Sequence, residues 1–529
     1  MALRDRYDWV VLGDHPAALL SGCLAAQQGY SVLYLSLAPS QQVFISRSGQ
    51  VVDPETNFIL GMGRRKGAYG LLGEALARMG GLADAESLLR TGDDVAPQVH
   101  TPESRFTLSF DESTLLHEIQ REWGKPTAEK AAWTAALSTA EPVVSRWWKE
   151  FPFRLTQNPK QGMLKGASDG GRLQASIRDA LITAGAARTQ GAKSQGRQWL
   201  QSGARASGLA SRTGRLDAQD VCAGARFAFL GSEDADPALV DLIHTLCLGR
   251  TAAAFKGGIT AYRRHLLALA VRLGAYVMED SPCRRIFVEN ERVMGVQMSH
   301  GGKMIGVSGA ALGCSLDHAR EFLSFSGKHR EDMLKQAPKP SGWRFTLALT
   351  VNREAIPPGM GPRVVWQERG APALEIEIAD PVDYLSMGAT GRLIFARTVL
   401  PFDQASLEPS RLRLVAARVF RQVTELLPFS EHHVTQLYPD FRDGSVEAFV
   451  EGYGFVGPQM IPDQMRCIDG PGLGCESGVE GLHVVSQESF PFLGSFGGVV
   501  AAFEAVSRFA LRSGGPAERP FERLWDFMK

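Results

Sequence analysis

VVLGDHPAALLSG, Val10 to Gly22, is the stretch on which the reading of this chain turns. Asp8 to Leu12 (DWVVL) is a short run rich in β-branched and aromatic residues, as a buried strand requires. Pro16 to Gln28 then carries apolar residues at helical spacing, and Gly29 stops the helix. SVLYLS from Ser31 is a second buried strand. Strand, tight turn, helix and strand within about thirty residues make a βαβ unit, so the chain opens on a parallel sheet. Gly22, Leu24, Ala25, Gly29 and Val32 fall where small or apolar residues let the helix lie close on that sheet.

A unit of this kind holds a dinucleotide through G-x-G-x-x-G. The first glycine makes the turn, the second lets the backbone approach the pyrophosphate, and the third allows close helix packing. The corresponding residues here are Gly13, His15 and Ala18. Gly13 keeps the turn and Ala18 is a tolerated substitute. His15 puts a side chain where the pyrophosphate would come nearest the backbone. The carboxylate that should end the second strand and bind the ribose hydroxyls falls at Ser36, a weaker partner for a diol.

At 529 residues, 44% of them apolar, the chain folds as two or three domains rather than around one core. Lys plus Arg equals Asp plus Glu at 57 each, so no global field draws it to nucleic acid or to an anionic membrane. The seven cysteines are odd in number and scattered, which fits a reducing compartment. Cys467 and Cys475 flank a glycine-rich turn, IDGPGLG, where a disulfide or a shared metal is the alternative to two free thiols. The N-terminus shows no signal sequence, and FPFLGSFGGVVAAFEAV from Phe490 is broken by glycines and carries Glu504, short of a spanning helix. A cytoplasmic protein without a transmembrane segment is expected.

Downstream, SRSGQVVDPETNFILG places Gly49 and Asp53 as in a "GYxFDxG" segment. A central block from Phe255 to Leu323 puts Lys256, Gly257, Gly258, Leu266, Gly274, Cys283, Ile286, Val293, Gly295 and Val296 in the order of a glycine-opened helix, a strand and a hairpin. GLHVVSQESFPFLGSFGGVVAAFEAVSRFA, from Gly481, is a strand running into a glycine-rich helix start. Three such blocks in this order resemble the phytoene dehydrogenase and flavin amine oxidase superfamily, whose FAD-binding fold is shared with the Rab GDP dissociation inhibitors. The resemblance implies an α/β protein with a Rossmann-like FAD/NAD(P)-binding domain and a second, α+β substrate-type domain. Residues 1–100, 251–325 and 451–529 would build the first; 101–250 and 326–450 would build the second. It also implies a cofactor site at Gly13, His15, Ala18, Ser36, Cys283, Ser486, Gln487, Gly497 and Gly498. In flavoproteins the third block's strand ends Gly-Asp; here those positions are Ser486 and Gln487.

FTLALTV from Phe345, ALEIEIA from Ala373 and RLIFARTVL from Arg392 read as strands of a mixed sheet, and SRLRLVAARVFRQVTELLP from Ser410 reads as an amphipathic helix ended by Pro428. Arg172 to Arg215 holds eight Lys or Arg against one Asp, either a solvated cover or a docking surface for an acidic partner. Trp147 and Trp148 beside two phenylalanines form either core or ligand cage. His432 and His433 are adjacent and diverge, and no His-x-x-x-His or Cys-x-x-Cys pair supports a metal. No catalytic residue stands out.

The expectation is therefore a flavoprotein-fold protein with an altered cofactor site, binding a hydrophobic small molecule or a protein partner through the inherited cleft. The alternative is a working FAD-dependent oxidoreductase acting on an apolar or amine substrate. A purely structural subunit is the third reading.

Overall fold

The computed structural model describes residues 3–37, 44–45, 51–52, 55–56, 58–65, 68–124, 128–157, 170–185, 205, 218–231, 234, 237–278, 281–325, 339–379, 391–403, 408–428, 430–442, 466–468 and 472–513. The chain opens as its sequence predicts, with β1 (Arg6–Leu12), α1 (Pro16–Gln27) and β2 (Val32–Leu35). α1 is buried along nearly its whole length, so its residues are apolar on every side rather than on one stripe. Gly29, at φ +87°, turns the chain into β2.

The chain next enters helices α2 (Ala128–Gln157), α3 (Ala218–Leu230), α4 (Leu239–Gly249) and α5 (Gly258–Arg272). It returns to the first sheet through β3 (Tyr276–Met278), β4 (Cys283–Glu289), β5 (Arg292–Met298), β6 (Met304–Leu312) and β7 (Leu323–Phe325). The strand order is β3-β2-β1-β6-β5-β4-β7. β1 pairs in parallel with β2 on one side and with β6 on the other, Trp9 lying opposite both Val32 and Gly309. The β4–β5 hairpin is antiparallel, and its turn holds Asn290 and Glu291 in left-handed backbone.

The second sheet is built from β8 (Gly342–Asn352), β9 (Arg363–Trp366), β10 (Leu374–Ala379) and β11 (Gly391–Pro401). Helix α6 (Pro409–Leu426) follows, and then β12 (Val434–Tyr438) and β13 (Arg466–Cys467). The strands Gln98–His100 and Arg105–Thr107 extend it beside β9. α6 covers this sheet with Leu412, Ala416, Val419 and Val423, the stripe its sequence period predicts. The chain then goes back to the first sheet: β14 (Leu482–Val484) pairs in parallel with the end of β6, and α7 (Ser495–Ser513) packs on α1.

Trp147 and Trp148 are core residues. They pack with Phe151, Trp148 meets Phe496 edge-on at 4.8 Å, and its Nε1 donates to His244 Nε2 at 3.3 Å. Cys467 and Cys475 are not joined in a disulfide. Within the basic segment, Gly170–Gly185 is a helix whose Arg178 pairs with Asp241. Apart from Arg205, residues 186–215 lie outside the described residues, as do Gly49 and Asp53. Among the described residues no helix is long and apolar enough to cross a membrane, and no group of His, Cys, Asp or Glu is placed to hold a metal.

The interior of the first unit holds ionisable groups. His483 in β14 stacks on Trp9 at 5.6 Å, and among the described residues neither ring nitrogen has a hydrogen-bond partner. Burial, helped by Arg512 and Arg508, pushes its pKa down to about 3. The unfolded chain therefore binds a proton at His483 that the folded chain refuses between about pH 6.5 and 3, and stability falls as the pH falls through that window. Glu504, pushed up to about 7 by burial and paired with Arg508 at 2.7 Å, acts in the opposite direction. Comparison of a variant with its parent cancels the Glu504 contribution. His483→Phe keeps the ring stack, so it should leave stability at neutral pH unchanged or higher. It should also remove about 2 kcal/mol of destabilisation near pH 5, read by denaturant unfolding at the two pH values.

Candidate functional site: the cleft at the carboxyl ends of β1, β6 and β14

Parallel sheets present ligands at the carboxyl ends of their strands. Here those ends open on a cleft of about 110 Å³ between the two sheets. One side is His15 to Ala17 of α1, Gly313 to Ser315 after β6, Ser486 to Glu488 after β14, and Ser495 and Val499 of α7. The facing side is Arg344, Arg363 and Arg466 of the second sheet. Phe58, Phe229, Leu230, Ile259 and Tyr262 supply apolar walls.

Gly13 makes the turn into α1 at φ +98°, a conformation only glycine adopts without strain. The next residues dispose of the helix N-terminus. Pro16 brings no N–H, the Ala17 N–H is donated to His15 Nδ1 at 3.2 Å, and the Ala18 N–H to the His15 carbonyl at 2.9 Å. His15 thus caps its own helix, satisfying the donors that a pyrophosphate would otherwise take. Burial, with Arg263 nearby, pushes the His15 pKa down to about 4. The ring is neutral at physiological pH, and accepting at Nδ1 leaves its proton on Nε2. Asp14 adds a carboxylate to the same turn, which repels a phosphate.

The nine residues expected at a cofactor site divide. His15, Ser486 and Gln487 line the cleft. Ala18 is buried behind it, where a methyl group on Gly313 would come within 2.9 Å of its Cβ. Ser36 accepts the Cys283 N–H at 2.8 Å, which brings these two together at the end of β2, away from the cleft lining. The Cys283 thiol is buried and pushed up to about 12, inert as a nucleophile. α7 begins at Ser495, so Gly497 and Gly498 fall in its first turn. A Cβ on Gly497 would lie 2.2 Å from the Phe490 carbonyl, and one on Gly498 would lie 2.8 Å from Ala17 Cβ and 3.3 Å from His15 Cε1. Both glycines serve helix packing, and the second seats α7 against the capped end of α1.

Three features escape a reading of the sequence alone. Pro16 carries a legible signal, the absent N–H. Glu488 supplies a carboxylate one position beyond the expected place after β14, and its Oε2 accepts from Leu316 N at 3.1 Å. The third is the charged face of the second sheet. Arg363 Nε lies 3.0 Å from Glu375 Oε1, and Arg397 Nη1 lies 3.1 Å from the same oxygen and also pairs with Glu377. Glu375 is fully buried, and despite that burial the guanidiniums of Arg363, Arg397 and Arg344 hold its carboxyl down at about 2. Arg363 also covers the Phe58 ring at 4.7 Å, and Arg466 Nη1 pairs with Asp317 at 2.9 Å.

The residues do not fit FAD held in the usual way. The N–H groups of the α1 first turn are spent, a side chain fills the close approach, and the second strand ends without a carboxylate. A methyl group added at Gly498 tests the packing on which this depends. Overpacking against Ala17 costs about 1–3 kcal/mol and the helix gains about 0.5–1 kcal/mol from losing a glycine, so Gly498→Ala should lower stability by about 1 kcal/mol net, measured by chemical unfolding.

No protein-family model matches the chain, and no curated protein matches it. Solved structures do. An oxidoreductase from Methanosarcina mazei superposes with a TM-score of 0.56 at 12% identity, over 95% of this chain and 100% of that one. Cyclohexylamine oxidase from Brevibacterium oxydans gives 0.47 at 12% identity, over 96% and 100%. A Rab GDI from Plasmodium falciparum gives 0.46 at 9% identity, over 82% and 88%. At such identities the likeness is one of fold. The chain shares its fold with the Methanosarcina mazei oxidoreductase, a Rossmann-like α/β sheet joined to a second, mixed sheet.

Proposed function

We propose that this protein is a cofactor-altered member of the flavoprotein fold that binds a small, largely apolar molecule in the cleft between its two sheets. One observation carries the reading: His15 and Pro16 leave the first turn of α1 with no N–H to offer a pyrophosphate. Ser36 in place of a carboxylate supports it, as do the apolar walls formed by Phe58, Phe229, Ile259 and Tyr262. A hydrophobic segment of a partner protein is the larger version of the same occupant.

The second reading, an FAD-dependent oxidoreductase, is favoured by a different observation. The cleft sits at the carboxyl ends of parallel strands, with the start of α7 exposed to it at Ser495 and Val499, where such a fold would receive a flavin. In that case the flavin would supply the redox chemistry, and the chain would supply binding and orientation.

The visible spectrum of the purified protein and its melting temperature with and without FAD separate the two readings. A site holding FAD at one hundredth of the added concentration would be stabilised by about 2.7 kcal/mol, a readily visible shift. The expected result is a colourless protein with no FAD-dependent shift, and a gain of FAD response in His15→Gly combined with Ser36→Glu. One tightly bound FAD per wild-type chain would overturn the proposal in favour of the oxidoreductase.

A further inference from the structure

Among the described residues, most of the arginines around the cleft have a carboxylate partner. Arg363 and Arg397 share Glu375, and Arg397 also holds Glu377. Arg466 has Asp317, and Arg263 has Glu55. Arg344 lines the same cleft from β8, yet among the described residues it has no carboxylate within ion-pair distance, and its Nε is buried without an acceptor. Glu375 feels its charge but is already held by two other guanidiniums. A guanidinium in a partly buried site without a counter-ion is unfavourable, because its desolvation is not repaid. Its forked donors match a carboxylate.

The apolar side of the cleft adjoins a second pocket. Phe229 lines both. Behind it lies a space of about 40 Å³ walled by Phe106, Leu108, Ile119, Leu242 and Leu246. Arg344 stands beside the carboxyl end of α3: a Cβ at Gly231 would lie 2.3 Å from its Nη2, and Phe229 lies two residues before that glycine. An uncompensated cation and an apolar recess thus flank one end of one helix.

We infer that the occupant of the cleft is an amphipathic carboxylate, a fatty acid or a molecule of like build. Its carboxylate pairs with Arg344, and its apolar body lies along Phe229 toward the recess behind that ring. This deepens the proposed function and rests on it. Binding is an ion pair with desolvation of the tail, and no covalent step is involved.

The probes are decanoate and decanol, equal in tail and different in head, titrated by calorimetry into wild type, Arg344→Gln and Arg344→Lys. Circular dichroism checks that each variant is folded. A charge-assisted pair of this kind makes decanoate bind the wild type on the order of tenfold more tightly than decanol. Arg344→Gln should bind both alike, and Arg344→Lys should keep part of the preference. Equal binding of the two probes by wild type would overturn the carboxylate inference while leaving the apolar binder standing. A carboxylate preference that persists in Arg344→Gln would place the anion elsewhere and sink it too. Failure of both probes to bind, in a preparation that carries flavin, would remove the proposed function itself; the same failure in a colourless preparation would remove the inference.

Discussion

Everything in this molecule hangs on the parallel pairing of β1 with β6, which joins the first residues of the chain to its middle. Such a contact closes a long loop and is entropically expensive, so it needs a large apolar reward. The reward is visible in Val10, Val11, Leu12, Ala310, Ala311 and Leu312, all fully buried, and in the helices α1 and α7 that cover one face. β14 then docks on the end of β6, and this brings the segment Ser486 to Glu488 to the mouth of the cleft. Without the β1–β6 ladder, neither the turn at Gly13 nor the cleft would exist.

Local period and composition announced much of this. The opening βαβ unit, the long strands around Phe345 and Arg392, and the helix after Ser410 all lie within a residue or a few of their predicted places, because each signal is contained in a dozen residues. The charged face was not announced. Arg344, Arg363, Glu375 and Arg397 have no meaningful spacing along the chain; only the register of β8 to β11 makes them neighbours. Glu375 and Glu377 sit in a run, ALEIEIA, that reads as plain alternation, whereas both faces of that strand are buried. His15 was legible as an obstruction, but its role as a cap depends on side-chain geometry.

The capped helix and the arginine face define a site of unusual character. On its α1 side, His15 takes up the Ala17 and Ala18 N–H groups and Pro16 has none to offer. Its opposite side carries a buried network in which two guanidiniums, those of Arg363 and Arg397, meet two carboxylates among the described residues, with Arg344 close enough for Glu375 to feel its charge. Buried networks of this kind contribute little net stability and are costly to break, so they act as rigid walls.

The path of the chain has one more consequence. The second sheet is visited twice, by Gln98–His100 and Arg105–Thr107 before β3 and by β8 to β13 before β14, and no strand is shared between the two sheets. The two sheets can therefore loosen from one another without either losing its own ladder. A molecule lodged between them touches both and works as a clasp. Its binding energy would then appear as cooperativity between the two halves of the protein, in the sharpness of their joint melting as much as in its midpoint.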